Sequence, residues 1–209
     1  MKTAHNLVIS SDFKDYYDTE ASSVYNENSV VYSRFLSKVP GKVEELKFLN
    51  YLGNKTIPIM PVSKISMDVE RVVVYMDLHG HRGKGKLLMR LNEANMLYPN
   101  KLASEYFDTN PGITFKILYI GKRRFRCILR NSDFFTENEI LDISELPSGY
   151  NPKIALPIFS IDYVQDRSNQ MLACDFNSVQ RLDYLGMEKL LSANDVISEI
   201  YRAMIEHKI

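Results

Sequence analysis

Three oxygen-bearing side chains in the last quarter of the chain have types and spacing that suit a metal site. Asp162 lies in one short apolar run, and Asp175 and Asn177 lie in a second run (171–177) that follows after a polar turn. Both runs have the length of a strand, so we expect a hairpin. Side chains alternate along a strand, so Asp175 and Asn177 would share one of its faces.

A carboxylate inside an apolar strand needs a partner, because burying it unpaired costs several kcal/mol or forces protonation. Asp162 and Asp175 must therefore face water, a base or a cation. Together with Asn177 they offer only hard oxygen ligands, which suit magnesium carried on a nucleotide phosphate. The alternative is an edge hairpin with solvated acids, and the residues alone leave both interpretations open.

A second candidate site is the glycine-rich loop at residues 77–86. Glycines let backbone N–H groups turn toward an anion while lysine and arginine supply charge, so the loop has the chemistry to cover a triphosphate. It is not the GxxxxGK[ST] phosphate loop, and an ordinary hairpin turn is the alternative. His79 and His81 have no third ligand nearby, which disfavours a metal site there. The residues that would contact phosphate are Gly80, Arg82, Gly83, Lys84, Gly85 and Lys86.

The elements that must position these residues follow from hydrophobic periodicity. Residues 43–52 have helical spacing and Gly53 follows as a helix stop. The two prolines in residues 57–61 predict an extended segment. The polar composition of residues 130–149 predicts a loop, which is long enough to act as a lid. Further strands are predicted at 7–9, 30–35, 71–76, 86–91, 102–107, 114–120 and 124–130, with a short helical turn near 92–95 and an amphipathic closing helix at 187–207 whose stripe is Val196, Ile197, Ile200, Met204 and Ile205.

Composition is that of an ordinary soluble globule. The chain has 209 residues, of which 45% are hydrophobic, and its 26 basic side chains equal its 26 acidic ones. The charge balance disfavours a general polyanion binder, although Arg123, Arg124, Arg126 and Arg130 keep nucleic acid open as a minor alternative. Neither signal peptide nor membrane span is expected, and the two cysteines fit a reducing compartment, so we expect a cytoplasmic protein.

The order of these motifs resembles the ATP-grasp fold, and within it the ribosomal glutamate ligase branch. The matching segments are 45–53 with 57–61 (a helix and a "giPxP" connection), 72–85 (strand and glycine loop), 103–107 ("vQEfI"), 115–130 ("R-vlviGgk-v-aa-R"), Phe134, Phe135 and Asn138 ("f-sN"), 161–164 ("GvDi") and 174–179 ("lEvNssPGl"). Similar short proteins are, by this resemblance, encoded by large bacterial viruses.

The resemblance implies an α+β fold with two lobes of mostly antiparallel sheet, flanking helices and an abbreviated N-terminal α/β segment. It divides the chain into that segment (1–62), a small lobe with the glycine loop (63–107) and a metal and nucleotide lobe (108–209).

The resemblance also assigns roles. Asp162, Asp175 and Asn177 would hold magnesium, Glu105 would lie along the adenine edge, and Arg130 and Asn138 would act on the transferring group. ATP and Mg²⁺ are the implied cofactors. Three departures stand out: Tyr75 occupies the position of a lysine that contacts the phosphates, Gln180-Arg181 replaces Pro-Gly, and Asp175 replaces Glu.

Two functions of different class follow. The first is an ATP- and magnesium-dependent ligase that joins a small-molecule or peptide carboxylate to an amine through an acylphosphate. The second is a catalytically silent ATP-grasp-like protein with a binding or viral host-interaction role. The sequence does not define the substrates or the oligomeric state.

Overall fold

The computed structural model describes residues 41–78, 85–107, 112–131, 138–148, 158–177 and 187–207. Outside the described residues lie the strands predicted at 7–9 and 30–35, the loop residues 79–84 and residues 178–186.

Nine strands and three helices make up the described chain. None of its helices is long and apolar enough to cross a membrane. The helices are α1 (Lys42–Tyr51), α2 (Leu91–Leu97) and α3 (Ala193–His207), with short 3-10 turns at Val62–Lys64 and Met187–Lys189. The strands are β1 (Met60–Pro61), β2 (Arg71–Tyr75), β3 (Lys86–Arg90), β4 (Leu102–Glu105), β5 (Ile113–Ile120), β6 (Arg123–Asn131), β7 (Asn138–Leu146), β8 (Ile158–Gln165) and β9 (Met171–Asn177).

The strands form two separate antiparallel sheets. The smaller sheet has the order β1-β4-β2-β3, and the larger has the order β7-β6-β5-β8-β9. This arrangement confirms the predicted α+β class with two lobes of antiparallel sheet.

The small sheet is held by its central strand and one short helix. Val72 and Val74 of β2 are fully buried and pack with Leu91 and Ala94 of α2. Val73 and Tyr75 of β2 are buried as well, so the strand is covered on both faces, and α2, which follows β3 directly, covers the face that carries Val72 and Val74.

The large sheet buries a different set of side chains on each face. On one face Leu118 and Phe125 pack against Val196 and Ile200 of α3. The other face packs against α1, through a cluster that comprises Leu46, Leu49, Ile57, Phe159, Ile161, Leu172 and Ala173. The period-two alternation of the strands therefore builds a core on both sides of one sheet.

Gly53 and Gly121 have positive φ at two turns that border the large sheet. Gly53 ends α1 with φ +92°, as predicted, and Gly121 makes the β5–β6 turn with φ +57°. A Cβ atom at Gly121 would lie 2.8 Å from the backbone oxygen of Glu199 in α3. The turn and the helix are thus in close backbone contact.

The prediction of a polar loop over residues 130–149 is wrong in its second half. Residues 138–146 form β7, which pairs with β6 along its whole length. The polar residues misled the prediction because the acids of β7, the edge strand of the sheet, pair with arginines of β6 at partly exposed positions. These pairs are Arg123–Glu145, Arg126–Asp142 and Arg130–Glu139.

The buried stripe of α3 also differs from the prediction. Val196, Ile200 and Ala203 are buried, whereas Ile197 and Ile205 are 41% and 66% exposed. The buried positions have i, i+4 and i+7 spacing, so the stripe is narrower than the apolar pattern suggested.

Candidate functional site

A row of three charged residues crosses the large sheet directly from strand to strand. Lys116 of β5 is opposite Asp162 of β8, and Asp162 is opposite Asp175 of β9. Directly opposed residues point to the same side of a sheet with their Cβ atoms about 4.5–5.5 Å apart. The antiparallel register therefore brings Asp162 and Asp175 together.

Both carboxylate oxygens of Asp162 have donors. The Lys116 Nζ donates to Oδ1 and also lies 3.3 Å from Ser160 Oγ. The Asn177 Nδ2 donates to Oδ2 at 3.2 Å. The structure thus places all three oxygen-bearing side chains of the predicted hairpin in one cluster, which we call the acid cluster (Asp162, Asp175 and Asn177).

Asp175 is held from outside the sheet by the first turn of α1. The Lys42 Nζ donates to Asp175 Oδ1 at 2.7 Å, to Glu45 Oε1 at 3.2 Å and to the backbone oxygen of Cys174. The Phe176 N–H donates to Glu45 Oε1 at 2.7 Å. The start of α1 therefore satisfies backbone groups of β9 and supplies a cation to its aspartate.

The electrostatics favour a charged Lys42–Asp175 pair. Burial alone would raise the pKa of Asp175, but the charges of Lys42 and then Lys86 outweigh it and hold that pKa below its ordinary value. Burial would likewise lower the pKa of Lys42, but attraction to Asp175 and Glu45 holds it above its ordinary value.

The pKa values of the neighbouring acids Glu45 and Asp162 are raised, in contrast to that of Asp175. Burial, then repulsion from Asp175, raises the pKa of Glu45 to about 8. Burial also raises the pKa of Asp162, against the opposing charge of Lys116. Carboxylates that share a site repel each other, so the charge on Asp175 contributes to the raised pKa of both Glu45 and Asp162.

Lys42 also connects the acid cluster to the small sheet. Its backbone N–H donates to the oxygen of Leu78, just after β2, at 2.8 Å. Tyr75, at the end of β2, is close enough to interact electrostatically with the Lys42 ammonium. The Tyr75 hydroxyl is itself hydrogen-bonded to Ser104 Oγ at 3.1 Å. Lys42 thus lies where β2, α1 and β9 meet.

A second connection between the sheets involves Glu105. Its Oε1 lies 2.9 Å from Nη2 of Arg167, in the turn between β8 and β9. This contact is an ion pair without a hydrogen bond to Oε1, whereas Arg167 donates to the backbone oxygen of Asp68 at 3.5 Å. Glu105 is therefore located between the sheets, at the end of β4.

The other predicted site residues are found elsewhere. Arg130 is exposed on β6 and pairs with Glu139 at 3.3 Å. Asn138 begins β7, opposite Asn131 in the register. Gly85 has φ +74° and accepts from the backbone N–H groups of Met76 and Asp77, which closes the base of the β2–β3 hairpin. Gly80, Arg82, Gly83 and Lys84 lie outside the described residues.

Sequence reasoning missed the two lysines that neutralise the acid cluster. Lys116 had a readable signal, because it shares the buried alternation of β5 with Leu118 and Ile120. A lysine on a core face is rare and demands a partner. Lys42 had no comparable signal, since it begins α1 and reaches Asp175 across 133 positions of sequence.

The donor set of the acid cluster suits magnesium that arrives with phosphates. Within the described ranges no group of three or more His, Cys, Asp or Glu side chains could hold a metal. The cluster has two carboxylates and one amide, and magnesium commonly binds one or two carboxylates together with waters and substrate phosphates. The residues present therefore fit a nucleotide-bound ion rather than an all-protein cage.

Comparison with known proteins identifies the fold. The ATP-grasp ligase PsnB, solved in complex with a phosphomimetic variant of its minimal precursor, Mg and ADP, superposes with a TM-score of 0.54 at 12% identity, over 94% of this chain and 75% of PsnB. The D-cycloserine synthetase DcsG superposes with a TM-score of 0.53, also at 12% identity, over 92% of this chain and 80% of DcsG. No protein-family model and no curated protein matches the sequence.

These likenesses show that the chain has the ATP-grasp fold, as the order of sequence motifs predicts. At 12% identity they establish the fold alone.

Proposed function

We propose that this protein binds ATP and magnesium between its two sheets and acts as an ATP-dependent carboxylate–amine ligase. The observation that carries the proposal is the acid cluster, in which two aspartates and an asparagine converge on the large sheet of an ATP-grasp fold. In this reaction a substrate carboxylate takes the γ-phosphoryl group of ATP, and an amine then displaces phosphate from the acylphosphate.

The work of the protein in such a reaction is positioning and charge neutralisation. Asp162, Asp175 and Asn177 would hold the magnesium ion, which neutralises charge on the phosphates. Lys86 begins β3 next to the hairpin turn, and its charge already acts on Asp175. The remaining loop residues 80–85 would cover the phosphates and exclude water.

Other residues would act around the nucleotide. Glu105, between the sheets, would face the adenine edge, so Arg167 would have to share or release it. Arg130 would stabilise the transferring group and Asn138 would position it. This assignment keeps the proposed lobes, with residues 1–62 as the N-terminal segment, 63–107 as the glycine-loop lobe and 108–209 as the metal and nucleotide lobe.

The proposed substrate is a small-molecule or peptide carboxylate, as in the ribosomal glutamate ligase branch. The proposed location of the protein is the cytoplasm. The structures of PsnB include its precursor, and that likeness supports a peptide as the first substrate to test.

The test is nucleotide binding followed by turnover. Thermal melting with a non-hydrolysable ATP analogue and magnesium measures binding, and ADP release with a panel of carboxylates and amines measures turnover. We expect Asp175→Asn and Asn177→Ala to abolish ADP release while the circular dichroism spectrum stays native. The matched control is Asp142→Asn, an exposed aspartate on β7.

Three outcomes separate the alternatives. ADP release that needs Asp175 and Asn177 supports the ligase. Binding without turnover supports the silent nucleotide-binding protein. Unchanged ADP release in both variants would show that the acid cluster is not part of the active site.

A further inference from the structure

Each aspartate of the acid cluster has its own buried lysine. The side chains of Lys42 and Lys116 are each only 6% exposed. Lysine is almost never this buried unless it is paired. The ammonium group of Lys42 has three protons and three acceptors: Asp175, Glu45 and the Cys174 oxygen. Lys116 contacts Asp162 and Ser160.

Each aspartate is paired with a different lysine, and the pairs use carboxylate oxygens that a metal would need. Lys116 contacts Asp162 Oδ1, and the amide of Asn177 contacts Oδ2. Lys42 contacts Asp175 Oδ1. A divalent cation can reach these oxygens only in competition with the ammonium groups.

We propose that Lys42 and Lys116 are internal counter-ions that keep the acid cluster assembled without metal, and that a divalent cation binds by displacing them from the carboxylates. The inference rests on the proposed metal-binding role of the acid cluster. It assigns both lysines as positioning residues that set the metal affinity of the site.

The exposure of the two aspartates indicates the order in which the cation replaces the lysines. Asp175 is 38% exposed, whereas Asp162 is 18% exposed. The ion therefore meets Asp175 first, and full coordination requires Lys116 to leave Asp162. A displaced ammonium group needs new acceptors, because leaving it buried and unpaired is costly. Nucleotide phosphates provide such acceptors, so free metal should bind weakly and metal with nucleotide should bind much more tightly.

The experiment removes Lys116 and measures metal binding without nucleotide. The probe is Mn²⁺, whose free concentration is read by electron paramagnetic resonance. Lys116→Met should bind Mn²⁺ at least about tenfold more tightly than the wild type, the factor that corresponds to about 1.4 kcal/mol. Lys116→Arg retains the charge and should bind like the wild type. Lys122→Met removes an exposed lysine paired with Glu206 and serves as the matched control.

Thermal melting without metal tests the counter-ion role separately. Lys116→Met leaves the buried Asp162 without its counter-ion, so the melting temperature of the variant should fall, and the double variant Lys116→Met, Asp162→Asn should recover most of the loss. Mn²⁺ should raise the melting temperature of Lys116→Met more than that of the wild type.

Each outcome decides the proposal. If Lys116→Met folds only with Mn²⁺, the proposal is supported. Equal Mn²⁺ affinity in Lys116→Met and the wild type overturns it, and so does a double variant no more stable than Lys116→Met. A protein that binds no nucleotide but shows the expected metal-free melting pattern would lose the proposed function while the counter-ion role stands.

Discussion

The contact between the β5–β6 turn and α3 makes a sharp stability prediction. Gly121 has φ +57°, and an alanine Cβ there would lie 2.8 Å from the backbone oxygen of Glu199 and 3.0 Å from its Oε2. The carbonyl belongs to the helix backbone, so α3 has to shift. We therefore expect Gly121→Ala to destabilise the protein through two separate effects.

The magnitude can be worked from each effect. A left-handed conformation costs alanine roughly 1–2 kcal/mol. Forcing an extra methyl group into a filled space costs about 1–3 kcal/mol more. The sum is about 2–5 kcal/mol, which corresponds to a fall of about 4–20 °C in the melting temperature of a chain of this size.

Gly53→Ala is the matched control. Gly53 has φ +92°, but a Cβ atom there would have no neighbour within 4 Å. Alanine restricts the unfolded chain equally at both positions, so that effect cancels in the comparison. Gly53→Ala should show the conformational cost alone, about 1–2 kcal/mol, which corresponds to a fall of about 2–8 °C in the melting temperature. The chain has no tryptophan, so unfolding is best followed by circular dichroism in urea and on heating. A Gly121→Ala loss no larger than that of Gly53→Ala would refute the contact.

Two further predictions concern a buried thiol and the exposed ion pairs. Burial raises the pKa of Cys127 to about 11, so in a Cys174→Ser background its thiol should react with a disulfide reagent at pH 8 roughly 100-fold more slowly in the native state than in urea. Its native rate should rise with pH up to the raised pKa, and a fast native reaction at pH 8 would contradict the burial. Arg123→Ala should cost about 1 kcal/mol, because Arg123 donates two hydrogen bonds to Glu145, at 2.7 and 2.6 Å. Arg126→Ala loses one exposed contact of 3.3 Å, so its free energy of unfolding in urea should fall by less than that of Arg123→Ala. Equal losses of unfolding free energy in the two variants would show that the two-bond geometry adds nothing.

Local pattern was enough to predict much of the fold. Alternating apolar runs identified the hairpin that carries Asp162 and Asp175, and the period of two correctly put Asp175 and Asn177 on one face. The stop at Gly53 followed from the φ that glycine tolerates. These features depend on neighbouring residues, which is why a single sequence reveals them.

Features that depend on distant parts of the chain were not predictable in the same way. The requirement that Asp162 and Asp175 meet water, a base or a cation was correct, but the two lysines that pair with them were missed. Lys42 reaches Asp175 only after α1 packs against β9. Likewise β7 resembled a loop, because its acids have arginine partners only once it lies beside β6.

One consequence follows from the way the outer side of β9 is closed. Thr56 bridges Ala173, the neighbouring residues Lys55 and Ile57 exchange hydrogen bonds with the same backbone, and Lys42 and Glu45 occupy the next groups along. Residues 41–57 therefore cover the outer edge of the five-stranded sheet, with α1 over one part of β9 and residues 55–57 paired to the next. A fragment that lacks these residues would expose the edge of β9 and aggregate, and its Asp175 would have lost Lys42. A separate peptide of residues 41–57 should bind this edge and restore both the solubility and the Lys42–Asp175 pair.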